Sequence, residues 1–183
     1  MSGHSKWSQI KRKKSLTDAK KGQVFSKLSK IIELAAKKSS DPKTNLVLKA
    51  AVDQAKAVNM PMANIERAIQ KGSGQLEGSN GLEEVVYEAY GSGGVALLII
   101  GVTSNKNRTV AEVKHLLAKH GASLSGAGSV KWLFDSKYEA GEITWLAKQT
   151  IKLGAEDEKK LEDLMEDLDE NEDVSEVFTN TPQ

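Results

Sequence analysis

Residues 95–121 have the sequence VALLIIGVTSNKNRTVAEVKHLLAKHG, which contains the clearest structural signals in the chain. Its first part, Val95–Thr103, is a short apolar run rich in β-branched residues, which predicts a buried strand. A polar loop follows, and Thr109 with Glu112 three residues later forms the pattern of a capping box, which predicts a helix start. The apolar residues beyond it recur at helical spacing until Gly121, which favours the end of the helix. One strand followed by one helix therefore predicts a region that combines sheet and helices.

The residues that follow predict more strands and a second helix. The apolar runs Val130–Phe134 and Ile143–Leu153 predict strands, and so does Val174–Phe178 near the end of the chain. Between them, the leucines and the methionine of residues 161–168 lie at helical spacing. The order is therefore β-α-β-β-α-β, which is the ferredoxin-like arrangement. Residues 84–90 predict one extra strand, which we expect at an edge of the sheet.

The beginning of the chain predicts three short helices with one apolar face each. Apolar residues recur at helical spacing over Val24–Ala35. Asp41-Pro42 predicts the N-cap and the first position of a second helix. Pro61 predicts the start of a third helix, and Gly72 its end. Residues 73–82 are rich in glycine and serine, which predicts a linker.

These patterns together predict an α+β protein with two domains. Residues 1–78 are expected to form a basic three-helix bundle with a flexible N-terminal arm and the linker. Residues 79–183 are expected to form an acidic ferredoxin-like βαββαβ domain with one extra strand.

The small net charge of +1 hides an uneven distribution of charge. Residues 1–72 contain 16 Lys and Arg against 5 Asp and Glu, whereas residues 73–183 contain the other 10 basic and 20 acidic residues. Such a basic half predicts a polyanion as partner, because an anion relieves its self-repulsion. The competing interpretation is a solvated lysine-rich surface with no partner. Lysine outnumbers arginine 14 to 2 in this half, which favours binding to phosphates over reading of base edges.

The candidate nucleic-acid-binding residues lie in the N-terminal arm, in the first and third helices, and in the loop before the capped helix. Trp7 of the arm could stack on a base or anchor the arm to the bundle. The loop could bind an anion at the helix N-terminus or form a plain capped turn. The acidic stretch Glu156–Glu176 is expected to point away from any bound phosphate, because like charges repel, or to fold back over the basic bundle when no nucleic acid is present. The candidates are His4, Lys6, Trp7, Lys11, Arg12, Lys13, Lys14, Lys20, Lys21, Lys27, Lys30, Arg67, Lys71, Lys106, Asn107 and Arg108.

The residues predict a non-enzymatic protein without a metal, a cofactor or a small-molecule substrate. The chain has no cysteine, which excludes thiolate sites and favours a reducing environment. His115 and His120 would point about 140° apart on a helix, so they cannot share a metal ion. Residues 167–178 begin like a calcium loop but lack its glycine and its final glutamate. The longest apolar run, Val95–Ile100, is too short for a membrane helix, and we expect a cytoplasmic protein.

The chain contains a set of characteristic short strings, namely Gly3–Trp7, Asn59–Pro61, Asn64–Ile69, Lys71-Gly72, Tyr87-Glu88, Tyr90-Gly91, Gly93–Ala96, Asn107–Val113, Gly128–Val130 and Glu142–Trp145. Through these strings the sequence resembles the YebC/PmpR family. The resemblance implies a helical N-terminal domain, α/β domains, nucleic-acid binding and control of gene expression. It implies either a ribosome-associated translation factor that helps to decode proline-rich stretches, which we favour, or a DNA-binding transcriptional regulator. The expected partners are therefore ribosomal RNA and the ribosome, or DNA, but no membrane.

The chain departs from the family pattern in three places. Members usually carry a third domain inserted between the two halves of the second. Here Phe134 is followed closely by Gly141, so we expect that domain to be absent, and with it any ribosome contact that it makes. Ser92 replaces the usual proline, and Ser104 replaces the usual aspartate.

Overall fold

The computed structural model describes residues 18–78 and 81–182, and they form an α+β protein. The helical part consists of α1 (Asp18–Ala36), α2 (Leu46–Ala57) and α3 (Met62–Gly72). The predicted fold class, three N-terminal helices followed by a sheet with helices, is confirmed. The sheet part consists of β1 (Glu83–Tyr90), β2 (Ala96–Thr103), α4 (Lys106–Lys119), β3 (Ser123–Leu124), β4 (Phe134–Glu139), β5 (Glu142–Ala147), α5 (Ala155–Glu170) and β6 (Val174–Thr179).

The helical part has its own apolar core, because each helix buries one stripe of side chains. α1 packs against both α2 and α3. The close approach of α3 to α1 requires Gly72, where a Cβ atom would overlap the carbonyl oxygen of Glu33. The buried core residues are Leu28, Ile32, Ala35, Ala36, Leu48, Ala51, Val52, Ala55, Met60, Ile65 and Ala68.

α2 begins later than Asp41-Pro42 predicted. Its N-cap is Asn45, whose side-chain oxygen accepts a hydrogen bond from the backbone N–H of Leu48 at 3.1 Å. The amide nitrogen of Asn45 donates to the carbonyl oxygens of Ala35 and Ser39 at 2.9 and 2.8 Å. The predicted start was wrong because this buried amide joins the later start of α2 to the end of α1.

The main sheet has the strand order β3-β1-β2-β6, and all its neighbouring strands are antiparallel. β1 pairs with β2 along its whole length, from Glu83 opposite Thr103 to Tyr90 opposite Ala96. β1 therefore lies inside the sheet and not at an edge as expected. One face of the sheet packs on α4 and α5, and the other packs on the separate β4–β5 hairpin.

The residues before β4 do not form the predicted strand. Lys131–Leu133 form a short 3-10 helix instead. The Glu88 carboxylate accepts hydrogen bonds from the backbone N–H groups of Val130 and Lys131 at 2.6 and 2.7 Å, so these groups do not join a strand ladder. β5 is also shorter than the predicted run to Leu153.

α4 begins one turn before the predicted capping box. Its N-cap is Asn105, whose side chain accepts a hydrogen bond from the backbone N–H of Arg108 at 3.1 Å. Thr109 is buried inside the helix, and its hydroxyl lies 2.7 Å from a carboxylate oxygen of Asp173. Glu112 contacts the guanidinium of Arg108 at 3.6 Å. The prediction of a capping box was wrong because the hydroxyl of Thr109 binds the carboxylate of Asp173, which is distant in sequence.

The tip of the β4–β5 hairpin contacts the start of α2. Gly141 has a φ of +96°, and a Cβ atom built there would overlap the carbonyl oxygen of Leu46. Nearby, the side-chain nitrogen of Gln54 donates to the Glu142 carboxylate at 2.6 Å. The hairpin therefore reaches the helical part at a position that has no room for a side chain.

Replacing Gly141 with Ala is expected to lower the free energy of unfolding by about 1–3 kcal/mol, because the methyl group overlaps backbone and φ is strained. Chemical denaturation measures this change. Gly126→Ala is the matched control, since a Cβ atom there meets nothing within 4 Å. An unchanged midpoint for the Gly141 variant would show that the hairpin does not touch α2 in solution.

Candidate nucleic-acid interface

The lysines of α1 face acidic residues of the sheet part. Lys30 Nζ pairs with Asp173 Oδ1 at 2.8 Å. Lys27 is buried, and its Nζ contacts both the carbonyl oxygen of Asp169 and, at 3.5 Å, its carboxylate. Lys20 Nζ lies 3.9 Å from Glu166. The acidic stretch therefore lies against α1, which is the second of the two arrangements expected from the sequence, because these opposite charges attract and hold the two parts together.

Asp173 is the centre of this contact. Its carboxylate also accepts from Arg108 Nη2 at 2.6 Å and lies 3.1 Å from the hydroxyl of Thr103. Burial of Asp173 opposes its ionisation, but the hydrogen bonds from Lys30, Arg108 and Thr109 outweigh burial and lower its pKa from 3.8 to about 2. The carboxylate is therefore charged at neutral pH, and it forms ion pairs with two of the predicted cations, Lys30 and Arg108.

The loop before α4 resembles a capped turn more than an anion site. Lys106 pairs with Glu83 at 2.8 Å, and Arg108 pairs with Asp173. Asn107 is exposed in the first turn of the helix. Of the two interpretations of this loop, the observed contacts favour the capped turn, because both of its cations already bind carboxylates.

A different set of cations is available on the outer sides of α2 and α3. Lys49 and Lys56 are seven residues apart on α2, and both are exposed outside its apolar stripe. Arg67 is exposed on α3, with the half-buried Lys71 one turn later. In the described residues, none of these four lies within 4.0 Å of a carboxylate oxygen, and we call them the α2–α3 cations. Arg67 and Lys71 were predicted, whereas Lys49 and Lys56 were missed although their spacing was visible in the sequence.

Of the remaining candidates, Lys21 lies within the described residues and the others lie in the arm. Lys21 is exposed near the start of α1. The seven arm residues, His4, Lys6, Trp7, Lys11, Arg12, Lys13 and Lys14, lie outside the described residues, so their roles stay predictions.

His120 and a nearby lysine share one acidic partner, Asp167. His120 Nε2 lies 2.7 Å from Asp167 Oδ2, and Lys119 Nζ lies equally close to that oxygen. Over residues 18–78 and 81–182, no three acidic or histidine side chains form a group that could hold a metal ion. Within the same ranges, no helix is long and apolar enough to cross a bilayer.

Two models of one protein family match almost the whole chain. Residues 5–75 match the family model described as the TACO1/YebC protein N-terminal domain. Residues 82–140 and 135–181 match the model of the TACO1/YebC second and third domain. The chain belongs to the TACO1/YebC family. The family resemblance seen in the sequence is confirmed.

Similar TACO1/YebC proteins align over nearly the whole chain. A probable transcriptional regulatory protein of Thermoanaerobacter pseudethanolicus is 40% identical over 238 positions, covering 98% of this chain and 96% of that protein. A probable transcriptional regulatory protein of Syntrophus aciditrophicus is 48% identical, covering 98% and 71%. The crystal structure of a conserved hypothetical protein from Aquifex aeolicus has a TM-score of 0.85 at 33% identity and covers 97% of both chains.

The alignment also bears on the inserted domain of the TACO1/YebC family. The Thermoanaerobacter protein aligns over 238 positions against 183 residues in this chain, so at least 55 positions have no counterpart here. The two pieces matched to the second and third domain meet at residues 135–140, within and just after β4. A tight turn at Ala140 and Gly141 follows at once, which supports the predicted absence of an insertion.

Proposed function

We propose that this protein is a non-enzymatic regulator of gene expression that binds the phosphate backbone of nucleic acid. The observation that carries the proposal is the pattern of pairing among the cations. Lysines of α1 bind carboxylates of the sheet part, whereas the α2–α3 cations have no carboxylate partner in the part of the chain described. An unpaired cationic surface attracts phosphate and accelerates its association. The relatives named probable transcriptional regulatory proteins support a role in gene expression.

We propose RNA on the ribosome as the main target, which makes the protein a cytoplasmic translation factor for proline-rich stretches. Three of the four α2–α3 cations are lysines, which suit phosphate better than base edges. The sequence resemblance supports the ribosomal role. The alternative is a DNA-binding transcriptional regulator, which the names of the relatives favour. We propose that residues 1–78 are the nucleic-acid-binding domain and that residues 79–183 are a second, acidic domain.

Binding of the full chain to RNA and DNA is expected to weaken steeply as salt rises. If about six phosphates are neutralised, the logarithm of the association constant should fall with the logarithm of salt concentration at a slope of about −4 to −5. Fluorescence anisotropy on single-stranded RNA and duplex DNA of equal length measures both slopes. A slope near zero on both nucleic acids contradicts the proposal.

Crosslinking in cells, followed by sequencing of the bound nucleic acid, distinguishes the two targets. Reads dominated by ribosomal RNA support the translation factor. Reads enriched in a few DNA sites support the transcriptional regulator and overturn the preferred target.

A further inference from the structure

Two exposed aromatic side chains lie together near the end of β1. Trp132 is 63% exposed and Tyr90 is 36% exposed. The indole nitrogen of Trp132 and the hydroxyl of Tyr90 both donate to the carbonyl oxygen of Ser129 at 2.9 Å, so these two atoms are at most about 5.8 Å apart. Because their polar atoms are satisfied within the protein, the flat ring surfaces are what the pair offers to a partner.

Glu88 holds the loop that carries Trp132. Its carboxylate is buried and accepts hydrogen bonds from the backbone N–H groups of Gly128, Val130 and Lys131 at 2.6, 2.6 and 2.7 Å. Burial would raise the pKa of Glu88, but these three hydrogen bonds outweigh it and keep the pKa below its ordinary value. The loop is therefore ordered before any ligand binds, which lowers the entropic cost of binding.

The same contacts indicate which part of a nucleotide the loop would hold. Its backbone N–H groups point inward to Glu88, so they are not available to bind a phosphate. The exposed Lys131 lies next in sequence to Trp132 and places its ammonium 5.1 Å from the ring centre of Trp145. The pair of Tyr90 and Trp132 therefore offers ring surfaces and not phosphate-binding donors, and nucleobases stack on such rings.

We propose that Tyr90 and Trp132 form a stacking platform for an unpaired base of single-stranded nucleic acid. The inference rests on the proposed function, because the strand must also be held by its phosphates. Every base has a flat face, so stacking tolerates any sequence, as lysine contacts to phosphate do. A base inside a duplex already stacks on both sides, so the platform favours single strands over duplexes.

Trp132→Ala is expected to weaken binding of single-stranded RNA by about 5- to 150-fold, the change that corresponds to about 1–3 kcal/mol for one stacked base. The salt slope should stay the same, because no phosphate contact is lost. An abasic oligonucleotide with the same number of phosphates should bind the variant and the wild type equally. Trp132→Phe should keep most of the affinity, since a ring remains.

Anisotropy titrations of the full chain with both oligonucleotides give the answer, and thermal unfolding checks that each variant is folded. An equal loss on the natural and the abasic strand, or no loss on either, would overturn the platform. The proposed function fails separately, if wild type binds no nucleic acid at any salt concentration.

Discussion

Replacing Lys49, Lys56, Arg67 and Lys71 with Ala is expected to weaken binding of single-stranded RNA by about 100-fold or more at low salt. Each solvated pair of opposite charges contributes about 1 kcal/mol at 4 Å, and four such pairs are removed. The salt slope should also become shallower by about 3, because each phosphate contact contributes about 0.7 for a single strand. Anisotropy titrations over a range of salt concentrations measure both effects.

The matched control removes four lysines from the sheet part. Lys137, Lys148, Lys159 and Lys160 each pair with a carboxylate, so their replacement with Ala changes the net charge equally without removing an unpaired cation. We expect this control to lose much less affinity than the first variant. If both variants lose the same affinity, net charge accounts for binding, and the α2–α3 cations are not the interface.

Replacing Asp173 with Ala is expected to lower the free energy of unfolding by about 2–4 kcal/mol, because the hydrogen bonds that Lys30, Arg108 and Thr109 donate to one buried carboxylate are lost together. The variant leaves Lys30 and Arg108 without their shared carboxylate, and the hydroxyl of Thr109 keeps only Thr103 and Asn105 as hydrogen-bond partners. Urea denaturation measures the loss. Asp163→Ala is the control, since this carboxylate forms an exposed pair with Lys159, and such pairs contribute little.

The lowered pKa of Asp173 also predicts how the free energy of unfolding depends on pH. Its pKa is about 2 in the folded protein against 3.8 as the ordinary value, so the folded state favours the charged form. The resulting stability, about 2 kcal/mol, is fully present above the unfolded pKa and is lost as pH falls through the folded value. Wild type should therefore lose more stability between about pH 5 and pH 2 than Asp173→Ala does. Parallel acid denaturation curves for the two proteins would contradict the assignment.

Elements with a strong local signal could be predicted from the sequence. The start of α3 after Pro61 and the strand β6 match their patterns, because spacing and punctuation along the chain determine them. The starts of α2 and α4 could not be predicted in the same way. Asn45 reaches back to the end of α1. The Asn105 cap of α4 is local, but the distant bond from Thr109 to Asp173 engages the hydroxyl of the competing predicted cap.

The candidate site shows the same division between local and distant information. The separation of charge between the two halves was visible in the composition, and so was the spacing of Lys49 and Lys56. Nothing local indicates that Lys30 pairs with Asp173, because the two are 143 residues apart. The aromatic pair was missed for a similar reason, since Tyr90 and Trp132 come together only through the carbonyl oxygen of Ser129.

The contact between α1 and the acidic residues has a consequence for protein synthesis. Lys27 and Lys30 are made about 140 residues before Asp169 and Asp173. At about 5–20 residues per second, this interval lasts roughly 7–30 seconds. The helical part has a core of its own and can fold during that time, with these lysines still uncovered. A nascent chain therefore presents a more basic surface than the folded protein, and acidic residues that are translated later cover it.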